Sequence, residues 1–121
     1  MEKAAIITLI LFLFFFLHST SDYSVDAEAS EAATWCVAKP STDNAVLNEN
    51  IQYACSIVDC SELQPPNGKC FHPDNLLFHA SAAMNIYYQA NGRKIWTCYF
   101  NNTGLITITD PSTDGCSFWQ G

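Results

Sequence analysis

Six cysteines restrict the folds open to this chain more than any other feature of its sequence. All six lie between Cys36 and Cys116 of a 121-residue polypeptide. A domain of this size buries too little apolar surface to be stable on its core alone, and small secreted domains compensate with disulfides. The even number of cysteines therefore predicts three disulfides, whose pairing the spacing alone leaves open.

One pair of cysteines is close enough in sequence for a local bridge. Only four residues separate Cys55 from Cys60, so a disulfide here would fix the end of a predicted helix to the next turn. A zinc site is the alternative, but a lone pair of thiols lacks the second pair of ligands that structural zinc requires. We expect neither a metal nor another cofactor.

The N-terminus has the pattern of a secretory signal peptide. A short charged head precedes an apolar run from Ala4 to Leu17, which is shorter than the roughly 20 residues needed to span a bilayer. Cleavage is expected after Ser21, with Ala29 as the other candidate and a retained signal anchor as the alternative. We assign residues 1–21 to a signal peptide and residues 22–34 to a flexible lead, and we expect a secreted, extracellular protein.

The charge of the chain limits its partners. Twelve acidic residues against five basic ones give a formal net charge of −7, which disfavours nucleic acids and anionic membranes. Neutral or cationic partners are favoured. The chain ends without an apolar run, so we expect no membrane span and no lipid-anchor signal.

Two helices are predicted from apolar periodicity and capping signals. The first runs from about Asp43 to Cys55, and the second lies within Pro73 to Gly92, with Asp74 or Asn75 as its N-cap and Asn91-Gly92 as its C-terminal stop. In the second helix the core-facing stripe comprises Leu76, Ala80, Ala83, Met84 and Tyr87, and the outward positions are Phe78, Ser81, Asn85 and Tyr88.

Short β-branched and aromatic runs predict a small sheet. Trp35 to Ala38 is one candidate strand, and Ile95 to Phe100 and Leu105 to Thr109 flank a turn at residues 101–104 as a predicted antiparallel hairpin. The expected fold is a small, disulfide-rich α+β domain, with two helices packed on a short antiparallel sheet of two or three strands.

Candidate catalytic groups are weak. Hydrolysis of a glycosidic bond needs two facing carboxyl groups, one of them protonated, whereas each acidic residue here lies beside a cap, turn or loop signal that explains it. With all cysteines expected in disulfides, no thiol remains as a nucleophile. We therefore expect a protein without enzymatic activity. Asn101-Asn102-Thr103 is an N-glycosylation sequon in a predicted turn, where the asparagines also suit the turn itself.

Aromatic residues are frequent, and those at the surface suggest a ligand. A flat ring takes the C–H face of a sugar, while amides and carboxylates take its hydroxyls. Exposed aromatics beside Asn and Gln therefore favour a surface for neutral polysaccharides. Scattered surface tyrosines without a ligand are the alternative.

Several motifs together resemble the plant family 43 carbohydrate-binding module, also called the X8 domain. They span residues 35–116 and comprise Trp35-Cys36-Val37-Ala38-Lys39-Pro40, Tyr53-Ala54-Cys55, Asp59-Cys60, Gly68-Lys69-Cys70-Phe71, His79-Ala80-Ser81, Asn85, Tyr87-Tyr88-Gln89, Cys98, Phe100 and Thr109-Asp110-Pro111-Ser112 with Cys116. The resemblance implies the disulfides Cys36–Cys98, Cys55–Cys60 and Cys70–Cys116. Residues 117–121 then form a C-terminal tail.

The resemblance also implies a function and a place for the site. It implies a non-catalytic module that binds β-1,3-glucan such as callose, acting as a monomer in the plant cell wall or apoplast. Combined with the exposure expected from helical geometry, it indicates Asn85, Tyr88, Gln89 and Tyr99 as sugar contacts, with Tyr87 in the core. A buried structural amide is the alternative for Asn85, and a secreted structural or signalling protein that has lost glucan binding is the alternative for the whole chain.

Overall fold

The computed structural model describes residues 32–118. The predicted signal peptide, its cleavage sites, most of the predicted lead and the last three residues of the tail lie outside this range. The described part has two strands, β1 (Trp35–Ala38) and β2 (Gly104–Thr107), and two helices, α1 (Asn44–Ile57) and α2 (Leu76–Ala90). Single 3₁₀ turns occupy Ser61–Leu63, Ile95–Cys98 and Phe100–Asn102. The α+β fold class is confirmed.

Both predicted helices form, and their ends follow local chemistry. The side-chain oxygen of Asn75 accepts a hydrogen bond from the Phe78 amide at 2.7 Å, which caps the N-terminus of α2. Gly92, just beyond the C-terminus, has a φ of 77°, the left-handed conformation expected of a helix stop. α2 packs against both α1 and β1 and is the central element of the described domain.

One face of α2 is buried as predicted, and the opposite face is also buried. Ala80, Ala83 and Met84 have no exposed surface and pack in the core. The exposure predicted for Ser81, Asn85 and Tyr88 is wrong, because all three are buried as well. The reason is that β1 lies against the face that periodicity assigned to solvent.

Polar side chains of α2 form hydrogen bonds with backbone groups along one edge of β1 and with Thr34, which precedes the strand. The Cys36 amide donates to Asn85 Oδ1 at 3.1 Å, and the Ala38 amide donates to Ser81 Oγ at 3.0 Å. Gln89 Nε2 donates to the Thr34 carbonyl at 2.8 Å. Four helical residues advance about 6 Å and two strand residues about 6.6 Å, so helix positions four apart match strand positions two apart. We call Ser81, Asn85 and Gln89 the polar ladder.

The other edge of β1 pairs with β2, and the predicted hairpin is wrong. β1 and β2 are antiparallel, with Trp35 opposite Thr107 and Ala38 opposite Gly104. The segment expected to pair with β2 instead forms the 3₁₀ turn Ile95–Cys98. Apolar, β-branched composition indicated a strand correctly for β2 but carried no information on which segment would be its partner.

The three disulfides have the pairing that the family resemblance implies. Cys36 is bonded to Cys98, Cys55 to Cys60 and Cys70 to Cys116. The first joins β1 to the segment after α2, the second closes the end of α1, and the third fastens the C-terminal region to the loop before α2. Within residues 32–118 no helix is both long and apolar enough to cross a membrane.

The polar ladder predicts a large cost for removing Asn85. In Asn85→Ala the Cys36 amide loses its acceptor in a buried place, which should lower the free energy of unfolding by about 1–3 kcal/mol. Denaturant unfolding with the disulfides intact measures this. The matched control is Asn48→Ala, an exposed asparagine of α1, and equal stability of the two variants would contradict the ladder.

Candidate functional site

The residues predicted to contact sugar divide into three buried ones and one exposed one. Tyr88, Asn85 and Gln89 have only 2%, 1% and 4% of their surface exposed, so their expected exposure is wrong. Tyr99 is 60% exposed, as expected.

The interactions of the buried residues explain their burial. Tyr88 Oη lies 2.8 Å from Thr34 Oγ1, and Asn85 and Gln89 belong to the polar ladder. The predicted sides of Tyr87 and Tyr88 are therefore reversed, because the strand side of α2 takes Tyr88. Asn85 is a buried structural amide, which was the alternative to a sugar contact at this position. None of the three presents the open ring or amide that a polysaccharide needs.

Three aromatic rings from separate parts of the chain meet at one surface. Tyr53 of α1 and Tyr87 of α2 have ring centroids 5.5 Å apart, and Phe100 lies 5.5 Å from Tyr87 and 6.3 Å from Tyr53. Tyr53 is 53% exposed, whereas Tyr87 and Phe100 are half-buried. We call these three residues the aromatic platform. The sequence does not indicate this cluster, because its residues lie far apart in the chain and become neighbours only through packing.

A turn of unusual backbone conformation brings Phe100 to the platform. Phe100, Asn101 and Asn102 have φ angles of 43°, 52° and 66°, three consecutive left-handed residues. This conformation costs non-glycine residues roughly 1–2 kcal/mol each. Such strain persists only where the surroundings enforce it, and it is frequent at binding sites.

Contacts made by the two residues that follow the left-handed turn hold it in place. The Lys39 amide donates to the Thr103 carbonyl at 2.8 Å, and Asn50 Nδ2 donates to Thr103 Oγ1 at 2.9 Å. Gly104 follows so close to the preceding segment that a Cβ there would lie 1.7 Å from the Cys98 carbonyl oxygen. Only glycine allows β2 to begin at this point.

The two phenol hydroxyl groups of the platform lie close to each other. Tyr53 Oη and Tyr87 Oη are 3.4 Å apart. The hydrogen bond with Tyr53, followed by partial burial, raises the pKa of Tyr87 above the usual value of 10.0. Two phenol hydroxyls beside apolar ring faces suit a ligand with both C–H and hydroxyl surfaces.

Two other features of the surface are lined by different residues. A cavity of about 360 Å³ is bordered by the Cys70–Cys116 disulfide, Asp59, Glu62, Lys69, Ala82, Asn85, Ile86, Ser117 and Phe118. The second is the ring of Trp96, which is 73% exposed and has Lys94 Nζ 6.0 Å from its centre. Its neighbour in sequence, Ile95, is also exposed.

Two observations concern the acidic residues and metal binding. Hydrogen bonds from Ser112 hold the pKa of the Asp110 carboxyl below its usual value, the opposite of what a general acid requires. Among residues 32–118, no three His, Cys, Asp or Glu side chains are grouped so that they could hold a metal ion. Asn101 of the sequon is exposed, and its glycosylation stays a prediction.

The chain matches one family model and several known proteins. The family model of the X8 domain matches residues 34–105. A glucan endo-1,3-beta-glucosidase of Triticum aestivum is 47% identical over 89 residues, which cover 74% of this chain and 19% of the relative. The major pollen allergen Ole e 10 of Olea europaea is 48% identical over 86 residues, 69% of each protein. Plasmodesmata callose-binding protein 2 of Arabidopsis thaliana is 40% identical over 88 residues, 72% of this chain and 45% of the relative. The chain thus spans only about a fifth of the length of the wheat glucosidase.

The contact between the platform tyrosines predicts an altered titration of Tyr87. Because the hydrogen bond keeps the proton on Tyr87, its contribution to stability is complete below the unfolded pKa of 10.0 and is lost as pH rises through the higher folded value. In Tyr53→Phe the pKa of Tyr87 should fall toward 10.0. NMR titration of ¹³Cζ-labelled tyrosine measures it. Trp96→Ala, which leaves the ring pair intact, should titrate as the wild type, and an unchanged pKa in Tyr53→Phe would refute the assignment.

Proposed function

Because the chain belongs to the X8 domain family, we propose that it is a non-catalytic module that binds β-1,3-glucan such as callose. The observation that carries the proposal is the aromatic platform, a partly exposed cluster of three rings built by both helices and the strained turn. Two relatives are named for callose binding, and others are glucan endo-1,3-beta-glucosidases. A shared domain in binding proteins and in glucosidases supports a role in holding glucan.

The proposed function does not include hydrolysis, because of which part of the glucosidases this chain matches. The match to the wheat and olive glucosidases covers 19% and 20% of their lengths, whereas the match to Ole e 10 covers 69%. The part in common is the domain that the callose-binding proteins also contain.

We propose that sugar contacts come from Tyr53, Tyr87 and Phe100, with Tyr99, which precedes Phe100 in the sequence, as the fourth contact. Tyr53 and Tyr99 offer the most exposed rings of these four. A glucosyl ring has apolar C–H faces and equatorial hydroxyls, so it can stack on a ring face and hydrogen-bond to a phenol at the same time. Asn85, Tyr88 and Gln89 are not part of this proposed surface because they are buried.

We further propose that the protein acts outside the cell, in the wall or apoplast. The three disulfides support this, because they persist in oxidising compartments and are rare in the cytosol. The acidic charge does not oppose binding to an uncharged glucan.

Removal of a platform ring should weaken binding. Tyr53→Ala should raise the Kd for β-1,3-glucan by at least about fivefold, equivalent to about 1 kcal/mol, because it removes an exposed ring that stacks on the sugar in the proposed complex. Sedimentation with insoluble β-1,3-glucan measures retention, with cellulose as the control polysaccharide. Trp96→Ala is the matched control, since it removes an exposed ring outside the platform.

The outcomes of this assay separate the competing interpretations. If the wild-type protein is not retained on β-1,3-glucan, the glucan-binding proposal is refuted and a structural or signalling role is favoured. Loss of binding in Trp96→Ala with retention in Tyr53→Ala would place the site at the other exposed surface. A reducing-sugar assay on the same samples should detect no products.

The proposed interaction should respond weakly to salt. Stacking and hydrogen bonding to an uncharged polymer involve no ion pairs, whereas charge attraction is screened over about 10 Å at 0.1 M ionic strength. Retention on β-1,3-glucan should therefore change little between low and moderate NaCl concentrations. A steep decrease with salt would mean that charge, and not the platform, supplies the affinity.

A further inference from the structure

We propose that Asn101 is N-glycosylated and that its glycan limits the access of polysaccharide to the aromatic platform. This inference rests on the proposed function, and it adds a regulatory modification to the same site. Asn101 belongs to the one Asn-X-Thr or Asn-X-Ser sequon in the 121 residues.

The backbone presents Asn101 at the surface. It is the middle of the three left-handed residues, with φ 52° and ψ 45°, and its side chain is exposed. An exposed turn of a disulfide-bonded protein is the accessible context that N-glycosylation needs. Asparagine suits the left-handed conformation with or without a glycan. Glycosylation is therefore inferred from the exposure of Asn101 and its position in the sequon.

Thr103, the other sequon residue, also has a structural role. Its hydroxyl donates to the Phe100 carbonyl at 2.6 Å and accepts from Asn50 Nδ2 at 2.9 Å. In the folded domain this hydroxyl is occupied by the turn. Sugar transfer is therefore expected on the unfolded chain, before the turn closes.

The modification is a group transfer from a lipid-linked donor. The side-chain nitrogen of Asn101 attacks C1 of an oligosaccharide carried on a lipid diphosphate. A nitrogen–C1 bond forms, the bond between C1 and the diphosphate oxygen breaks, the amide loses one proton, and the lipid diphosphate leaves. No electrons are exchanged with an oxidant or reductant.

The position of Asn101 gives the glycan its effect. The preceding residue is Phe100, whose ring lies 5.5 Å from that of Tyr87, and the residue before that is the exposed Tyr99. The first sugar is thus attached one residue after Phe100 and two residues after Tyr99, which are two of the four proposed contacts. A bulky hydrophilic glycan at this place should keep the surface of an insoluble glucan away from the aromatic platform. It should hinder a short soluble oligosaccharide less.

The test compares glycosylated and trimmed forms of the same secreted protein. The full chain is expressed in plant cells, and half of the sample is treated with an endoglycosidase that leaves a single sugar on asparagine. Intact mass reports occupancy, and sedimentation with insoluble β-1,3-glucan reports binding. Asn101→Gly removes the acceptor while suiting the left-handed backbone, so it serves as the unmodified form, and circular dichroism checks its fold.

We expect intact mass to show a glycan on the untreated protein. The Kd of the untreated protein for insoluble glucan should be at least about threefold higher than the Kd of the trimmed form or of Asn101→Gly. A change of this size corresponds to partial loss of an aromatic contact. A mass equal to that of the bare polypeptide would overturn the modification. Equal binding of all forms would overturn the regulation while leaving the proposed function intact. If none of the forms is retained, the proposed function fails, and this inference falls with it.

Discussion

The interaction on which the rest of the structure depends is the polar ladder between α2 and the first strand. β1 has only four residues, and its two edges are satisfied by different means, a second strand on one side and helix side chains on the other. A buried amide without an acceptor costs about 1–3 kcal/mol, so the ladder lets so short a strand lie against a helix. It also fixes the rotation of α2 about its axis, which decides that Tyr88 is buried and Tyr87 reaches the surface.

The position of β1 in turn dictates the turn that builds the platform. The Cys36–Cys98 disulfide holds residue 98 against β1, and β2 must then begin at Gly104 to pair with Ala38 of the same strand. Five residues remain for the chain to leave β1 and return to it. Consecutive left-handed residues achieve this reversal, and their coiling directs Phe100 toward Tyr53 and Tyr87. The strain at the proposed site is therefore a consequence of how the sheet is closed.

The features predictable from sequence were those set by local interactions. Asn75 and Gly92 mark the ends of α2 through capping and left-handed stop chemistry, which depend on a few neighbouring residues. The buried polar side of α2 was not predictable from periodicity, because a polar stripe opposite an apolar one ordinarily faces water. One signal was present: Ser81, Asn85 and Gln89 recur every four residues and carry no charge. Uncharged hydrogen-bonding groups at that spacing suit a strand edge, whereas solvent-facing helix positions usually carry Lys or Glu.

Non-local pairing limited the prediction of both the sheet and the site. The segment after α2 has strand-like composition, but the disulfide to β1 and the close packing of Gly104 decide that β2 pairs elsewhere. The motif residues that resemble the family include Asn85 and Gln89, whose observed roles are structural. Membership of a family motif therefore indicated the fold at these positions and not the ligand surface.

In the proposed function, aromatic rings and net charge have different effects on ligand binding. The stretch from Ile95 to Thr109, which contains Tyr99 and Phe100, has no charged residue, whereas the whole chain carries a net charge of −7. An uncharged glucan can approach such a surface without electrostatic cost and be held by ring stacking and phenol hydroxyls. An anionic polysaccharide offers similar C–H faces, but each of its carboxylates meets the negative field of the protein. Under this proposal, affinity would come from the platform, and discrimination against acidic polymers would come from the remainder of the surface, because specificity is a difference between two binding free energies.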